Sequence, residues 1–94
     1  MNVLNRPGQC GTMESNDLMV QVAPAEQGSG IAITLVSPMV KQYGKQIEAV
    51  VKATLEEMGV ADALVQVTDK GALDCTIRAR VRVAAERTMR KEAN

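Results

Sequence analysis

The sequence contains no histidine, no tryptophan and no phenylalanine, and a single tyrosine, Tyr43. Without histidine, the commonest general acid–base, the usual metal ligand and every Ser-His or Cys-His nucleophile pair are missing. With one aromatic there is no platform on which nucleic-acid bases could stack. Two cysteines, Cys10 and Cys75, lie far apart with no metal-ligand spacing and are too few for a secreted disulfide framework. No apolar run approaches the roughly 20 residues that a membrane span needs. The N-terminus shows no charged segment followed by an apolar one. These absences lead us to expect a cytoplasmic protein with reduced thiols, no nucleic-acid partner and no membrane partner. Charge is also balanced: Lys plus Arg number 11 and Asp plus Glu number 11, so no net field attracts polyanions. Only the end is locally basic, where Arg78, Arg80, Arg82, Arg87, Arg90 and Lys91 face only Glu86 and Glu92.

What is present is aliphatic. The 94 residues suffice for one domain, and 46% are hydrophobic, so Val, Ile, Leu, Met and Ala must fill a thin core. Residues 1–16 lack helical or strand periodicity and predict a mobile N-terminal segment. From Leu18 the pattern alternates: Leu18, Val20 and Val22 against Met19, Gln21 and Ala23. After Gln27-Gly28-Ser29-Gly30 a second alternation sets Ile31, Ile33 and Leu35 against Ala32, Thr34 and Val36. The two runs predict an antiparallel hairpin.

Ser37-Pro38 resembles a helix start, with a hydroxyl at the cap and proline at the first turn. Val40, Tyr43, Ile47, Val50, Val51, Leu55 and Met58 then step by three and four along one helical stripe, which Gly59 closes. A third strand is predicted around Val65 and Val67, followed by the turn Asp69-Lys70-Gly71. A fourth is predicted to turn Cys75, Ile77 and Ala79 inward and Arg78 and Arg80 outward. Val81 and Val83 would extend it, yet Val81, Ala84, Ala85, Thr88 and Met89 also fit a helix. Helix formers dominate 84–93, which predicts a C-terminal helix there. The expected fold is a small two-layer α+β domain over 1–94. An antiparallel sheet of about four strands is covered by helices, in the order ββαββα.

The residues offer no catalytic or metal-binding constellation. Arg78, Arg80 and Arg82 read either as a solvated face or as a surface that docks a partner. Gly11-Thr12-Met13-Glu14-Ser15-Asn16-Asp17 is a polar stretch leading into a strand, with no base placed to activate Ser15.

Three ordered blocks nevertheless resemble one family. Gly11 to Val20 is similar to the segment around the modified serine of citrate lyase acyl carrier (gamma) subunits. Val40-Lys41-Gln42-Tyr43-Gly44, with Ile47, resembles their central helix. Asp69 to Arg80 resembles their last strand. The resemblance implies a non-catalytic carrier with phosphoribosyl-dephospho-coenzyme A joined covalently to Ser15 by a separate prosthetic-group transferase. It also implies an alpha (acyl transferase) subunit and a beta (citryl lyase) subunit as partners. The arm's thiol would carry acetyl and citryl thioesters while citrate is cleaved to acetate and oxaloacetate. A mobile 1–16 segment would let the arm swing. The acyl carrier of malonate decarboxylase and a non-carrier assembly module are the alternatives.

Overall fold

A computed structural model describes residues 4–89. Three strands come first: β1 (Gly8–Gly11), β2 (Leu18–Pro24) and β3 (Ile31–Val36). Helix α1 (Val40–Glu57), strand β4 (Ala63–Asp69) and helix α2 (Asp74–Met89) follow. The α+β class and the numbers of strands and helices match the expectation from sequence.

The sheet order is β1-β2-β4-β3. β2 pairs with β1 and with β4 antiparallel, while β3 runs parallel to β4. The sheet is therefore mixed, not antiparallel, and β2 and β3 do not form the expected hairpin. Parallel neighbours need a crossover, and α1 supplies it between β3 and β4. β4 then occupies the slot beside β2 that the hairpin would have filled.

Both helices pack on one face. Leu18, Val20 and Val22 of β2 and Val65 and Val67 of β4 point into it and are buried, as the alternation predicts. α1 contributes Ile47, Val51 and Leu55, and α2 contributes Ile77, Val81, Ala84 and Ala85. Burying each large aliphatic side chain stabilises the fold by roughly 1.5–3 kcal/mol. Val40 and Tyr43, expected in the α1 stripe, are 46% and 50% exposed at the first turn of α1. No helix among the described residues is long and apolar enough to cross a membrane.

Two segments depart from the sequence reading, so the order is βββαβα, not ββαββα. Residues 74–80 are helix. Ile77, Val81, Ala84, Ala85 and Thr88 form one buried stripe spaced by three and four. Asp74 lies in the first turn and Arg87 in the last, each favoured by the helix dipole. The alternation of Cys75, Ile77 and Ala79 was coincidental: Ile77 is buried, whereas Cys75 and Ala79 are exposed. The helix also extends the predicted 84–93 segment backward by ten positions; 90–93 lie outside the described residues.

The fourth strand comes from the segment expected to be mobile. β1 is built by close approach, not by apolar side chains. A Cβ on Gly8 would lie 2.5 Å from the Ala84 carbonyl oxygen, so the strand rests directly on α2. Cys10, between the two glycines, packs against the core. Leu4, upstream, is buried, and Arg6 Nε donates to the Arg87 carbonyl (3.1 Å), tying the segment to the end of α2.

Candidate functional site

Ser15 sits at the tip of the loop that joins β1 to β2. Gly11 begins that loop with φ +111°, and a Cβ there would meet the Leu18 carbonyl oxygen at 1.8 Å. Only glycine allows the ladder to close there. The Thr12 amide donates to the Leu18 carbonyl (3.2 Å), and the Asp17 amide donates to the Glu14 carbonyl (3.2 Å). Ser15 and Asn16 are therefore the two corners of a tight turn. Asn16 takes φ +66°, a left-handed conformation that asparagine tolerates better than most side chains.

The Asp17 carboxylate braces this loop. Its Oδ1 accepts from the Leu18 amide (2.7 Å) and Arg80 Nε (3.0 Å). Its Oδ2 accepts from the Thr12 hydroxyl (2.8 Å) and Arg80 Nη2 (3.2 Å). The Thr12 oxygen in turn accepts from the Glu14 amide (3.2 Å). Below the turn, the Asn16 amide donates to the Lys70 carbonyl (2.8 Å) and the Lys70 amide to the Asp17 carbonyl (2.9 Å). The loop is thus fastened to α2 by an ion pair and to the end of β4 by backbone.

Ser15 itself is exposed, and its side chain makes no hydrogen bond among the described residues. Among the described residues, no carboxylate is hydrogen-bonded to that hydroxyl as a base would be. The Arg80 hydrogen bonds, helped by the Leu18 amide and the Thr12 hydroxyl, lower the Asp17 pKa from 3.8 to about 2. A carboxylate that acidic is a poor proton acceptor at neutral pH. The same pair raises Arg80 above its ordinary value. The arrangement presents an accessible hydroxyl on a braced turn. No group of three His, Cys, Asp or Glu able to hold a metal occurs among the described residues.

The predicted arginine row does not exist as a row. On a helix, residues two apart lie roughly 200° apart around the axis. Arg80 turns to Asp17, Arg82 Nη2 reaches Glu57 Oε1 on α1 (3.2 Å), and Arg78 is exposed. Arg80 therefore braces the Ser15 loop, with its side chain still 38% exposed. Sequence reasoning missed this because Asp17 and Arg80 are 63 positions apart and no local pattern joins them. Cys75, expected to point inward, is exposed, and Cys10 is half-buried.

The Asp17–Arg80 brace makes a pH prediction. A carboxylate whose folded pKa is lowered adds stability above its unfolded pKa and loses it as pH falls toward the folded value. The melting temperature of the wild type should exceed that of Asp17→Asn above about pH 5. The difference should shrink between roughly pH 4 and pH 2. Circular-dichroism melts of both proteins check this; a gap that stays constant down to pH 2 would rule out the brace.

Two hollows border β1, β2 and the Ser15 loop. One of ≈700 Å³ lies by Pro7, Gln9, Gln21 and Leu64, at the opposite end of β1 and β2 from Ser15. The other, of ≈420 Å³, is lined by Met39, Tyr43, Gln46, Ile47, Gly71 and Leu73 among others, and lies beside the Ser15 loop.

Comparison with known proteins adds relatives along nearly the whole chain. The acyl carrier model described as malonate decarboxylase delta subunit (MdcD) matches residues 5–88. The citrate lyase acyl carrier protein of Pectobacterium atrosepticum is 51% identical over 77 residues, 82% of this chain and 78% of that one. That of Lacticaseibacillus casei is 45% identical over 84 residues, 89% of this chain and 81% of the relative. That of Vibrio cholerae serotype O1 is 51% identical over 81 residues, 86% and 82% respectively. Among solved structures, a chain of a Pseudomonas malonate decarboxylase hetero-tetramer in complex with malonate superposes with a TM-score of 0.69. It is 19% identical and covers 92% of this chain and 91% of that chain, a likeness of fold alone.

Proposed function

This chain belongs to the acyl carrier protein family of citrate lyase and malonate decarboxylase, and on that premise we propose that it is the acyl carrier subunit of a citrate lyase, with Ser15 as its attachment residue. The observation that carries the residue assignment is the exposed, unbonded hydroxyl at the tip of a braced turn. Met13, Glu14 and Asn16 beside it are exposed as well, so a bulky group can be joined there without displacing packed side chains. The residues present fit phosphoribosyl-dephospho-coenzyme A held through a phosphodiester on Ser15. When bound, that group supplies a terminal thiol for acyl groups.

The chain's own residues do the rest by position. Asp17, Arg80 and Thr12 hold the loop, and the Lys70 backbone fixes its height above the sheet end. The tether is thus anchored on a rigid base, which keeps the thiol at high effective concentration for whatever enzyme surface docks there. The likeness to citrate lyase acyl carrier proteins supports attachment by a separate transferase and a non-catalytic subunit that works with an acyl-transferring alpha and a lyase beta subunit in the cytoplasm. Arg78 is exposed, and Arg80 and Arg82 keep side chains 38% and 49% exposed beside their ion pairs, so all three are candidate contacts for those partners.

Citrate lyase is favoured over malonate decarboxylase by sequence. Named citrate lyase carriers share 45% and 51% identity with this chain, against 19% for the malonate decarboxylase chain. The deciding measurement is intact mass after co-expression with the attaching enzymes. The chain should gain one phosphoribosyl-dephospho-coenzyme A, and the purified single chain should form no oxaloacetate from citrate. A chain that gains no mass would be an assembly module, and oxaloacetate from the chain alone would make it a catalyst; either result refutes the carrier reading.

A further inference from the structure

We propose that the cleft between α1 and the β4–α2 connection, walled by Met39, Tyr43, Ile47 and Leu73, receives the thiol-bearing pantetheine end of the arm between transfers. The inference rests on Ser15 being the attachment residue. It concerns this chain's own surface and not the chemistry of the arm.

Position comes first. Asn16, next to Ser15, donates its amide to the Lys70 carbonyl, and a Cβ on Gly71 would lie 3.6 Å from Asn16 Oδ1. Gly71 is also a wall of the cleft, so the attachment turn and the cleft share an edge. Size fits next: ≈420 Å³ lies within the range of small-ligand sites, roughly 300–1,000 Å³.

Chemistry fits as well. The walls are largely apolar, and Gln46 Nε2 with the Asp74 carboxylate (3.2 Å) offers polar groups for the arm's amides. The mouth is left uncovered in the chain: Met39 is 38% exposed, Tyr43 50% and Leu73 70%. Exposed large apolar residues are concentrated at this end. Met13, Val36, Met39, Val40, Tyr43 and Leu73 all sit there, and of the exposed large hydrophobics described only Leu64 does not.

The tether decides between the arm and a diffusing occupant. A group fastened on a short linker is present at an effective concentration on the order of millimolar. A site with millimolar affinity is then about half filled by the arm, yet releases it readily to a partner enzyme. A free ligand of the same affinity would leave the cleft mostly empty.

The test uses the loaded chain, with intact mass and peptide mapping first confirming one arm on Ser15. Backbone amide shifts of loaded and unloaded protein are then compared. Alkylation of the arm thiol by iodoacetamide is followed on the Ser15 peptide, apart from Cys10 and Cys75. Shifts should concentrate at 39–47 and 71–74. The arm thiol should react roughly twofold or more slowly than free pantetheine, as half-occupancy requires. Tyr43→Ser and Leu73→Ser should restore the free rate, while Leu64→Ser should not. Unchanged shifts at those residues, a free rate in the wild type, or equal relief by Leu64→Ser would overturn the inference. So would Tyr43→Ser and Leu73→Ser variants impaired only in transfer to partner subunits, because the patch would then be a protein-docking face. An arm mapped to another residue would overturn the attachment reading instead, and is seen before any shift is measured.

Discussion

Ser15→Ala should abolish loading completely: no covalent arm, and no citrate turnover by a complex assembled around the variant. The loss is all-or-none because the bond to the arm is made through that oxygen, and alanine has none. Its cost to the fold should be within about 0.5 kcal/mol, the usual range for an exposed side chain without partners. The neighbouring hydroxyl does not offer a substitute. Thr12 is the only other hydroxyl on the loop, and it is engaged on both sides, donating to Asp17 and accepting from the Glu14 amide. Peptide mapping after co-expression with the attaching enzymes separates the outcomes. An arm found on Ser15→Ala protein, on Thr12 or elsewhere, would mean that the loop and not the residue is recognised.

How far sequence could lead to this site is clear from particular residues. β2, β3, β4 and most of α1 were legible, because each buries one face and so writes a period of two or of about 3.6 into the chain. β1 was not. Gly8, Gln9, Cys10 and Gly11 carry one core-facing side chain among them, and the strand forms because glycine lets the backbone lie on α2 and close on Leu18. That is a property of the partner surfaces, which the local sequence does not contain. The start of α2 was misread because three alternating positions, Cys75, Ile77 and Ala79, satisfy a strand period as well as a helical one at Ile77. The full stripe from Ile77 to Thr88 resolves it.

Sheet order was equally hidden. Gln27-Gly28-Ser29-Gly30 permits a hairpin, but permits a longer excursion too, and β4 is the better neighbour for β2 along its whole length. As for Ser15, its residues alone were uninformative, and family resemblance pointed to it. The structure adds what resemblance could not: the exposure of the hydroxyl and the Asp17–Arg80 brace beneath it.

That brace depends on a second polar junction, one layer deeper, where the other large effect is expected. Asp69 is 2% exposed, at the end of β4 where it pairs with Leu18. Its Oδ2 accepts from the Ser37 hydroxyl (2.8 Å), and its Oδ1 accepts from the Ala72 amide (2.9 Å). The Ser37 oxygen also accepts from the Met39 amide (3.1 Å), so the serine predicted to cap α1 serves the turn before the helix and hangs from Asp69. One buried carboxyl group thus sets the approach to both helices, and the next residue, Lys70, holds the Ser15 turn.

Asp69→Ala would strip the buried Ser37 hydroxyl and the half-buried Ala72 amide of their acceptor, at a cost of about 1–3 kcal/mol for the first and less for the second. Partial relaxation should leave a net loss of about 2–4 kcal/mol, or a melting temperature lower by roughly 10–25 °C for a domain of this size. Asp69→Asn should lose less, since its carbonyl can still accept the Ala72 amide and its NH2 can donate to the Ser37 oxygen. Denaturant unfolding gives the free energies. Hydrogen exchange at the Asn16 amide gives the local effect, which should speed up in Asp69→Ala beyond the global loss of stability as the Lys70 carbonyl loses its fixed position. A loss below about 0.5 kcal/mol, the scale of an ordinary surface change, would mean that the junction does not hold the loop.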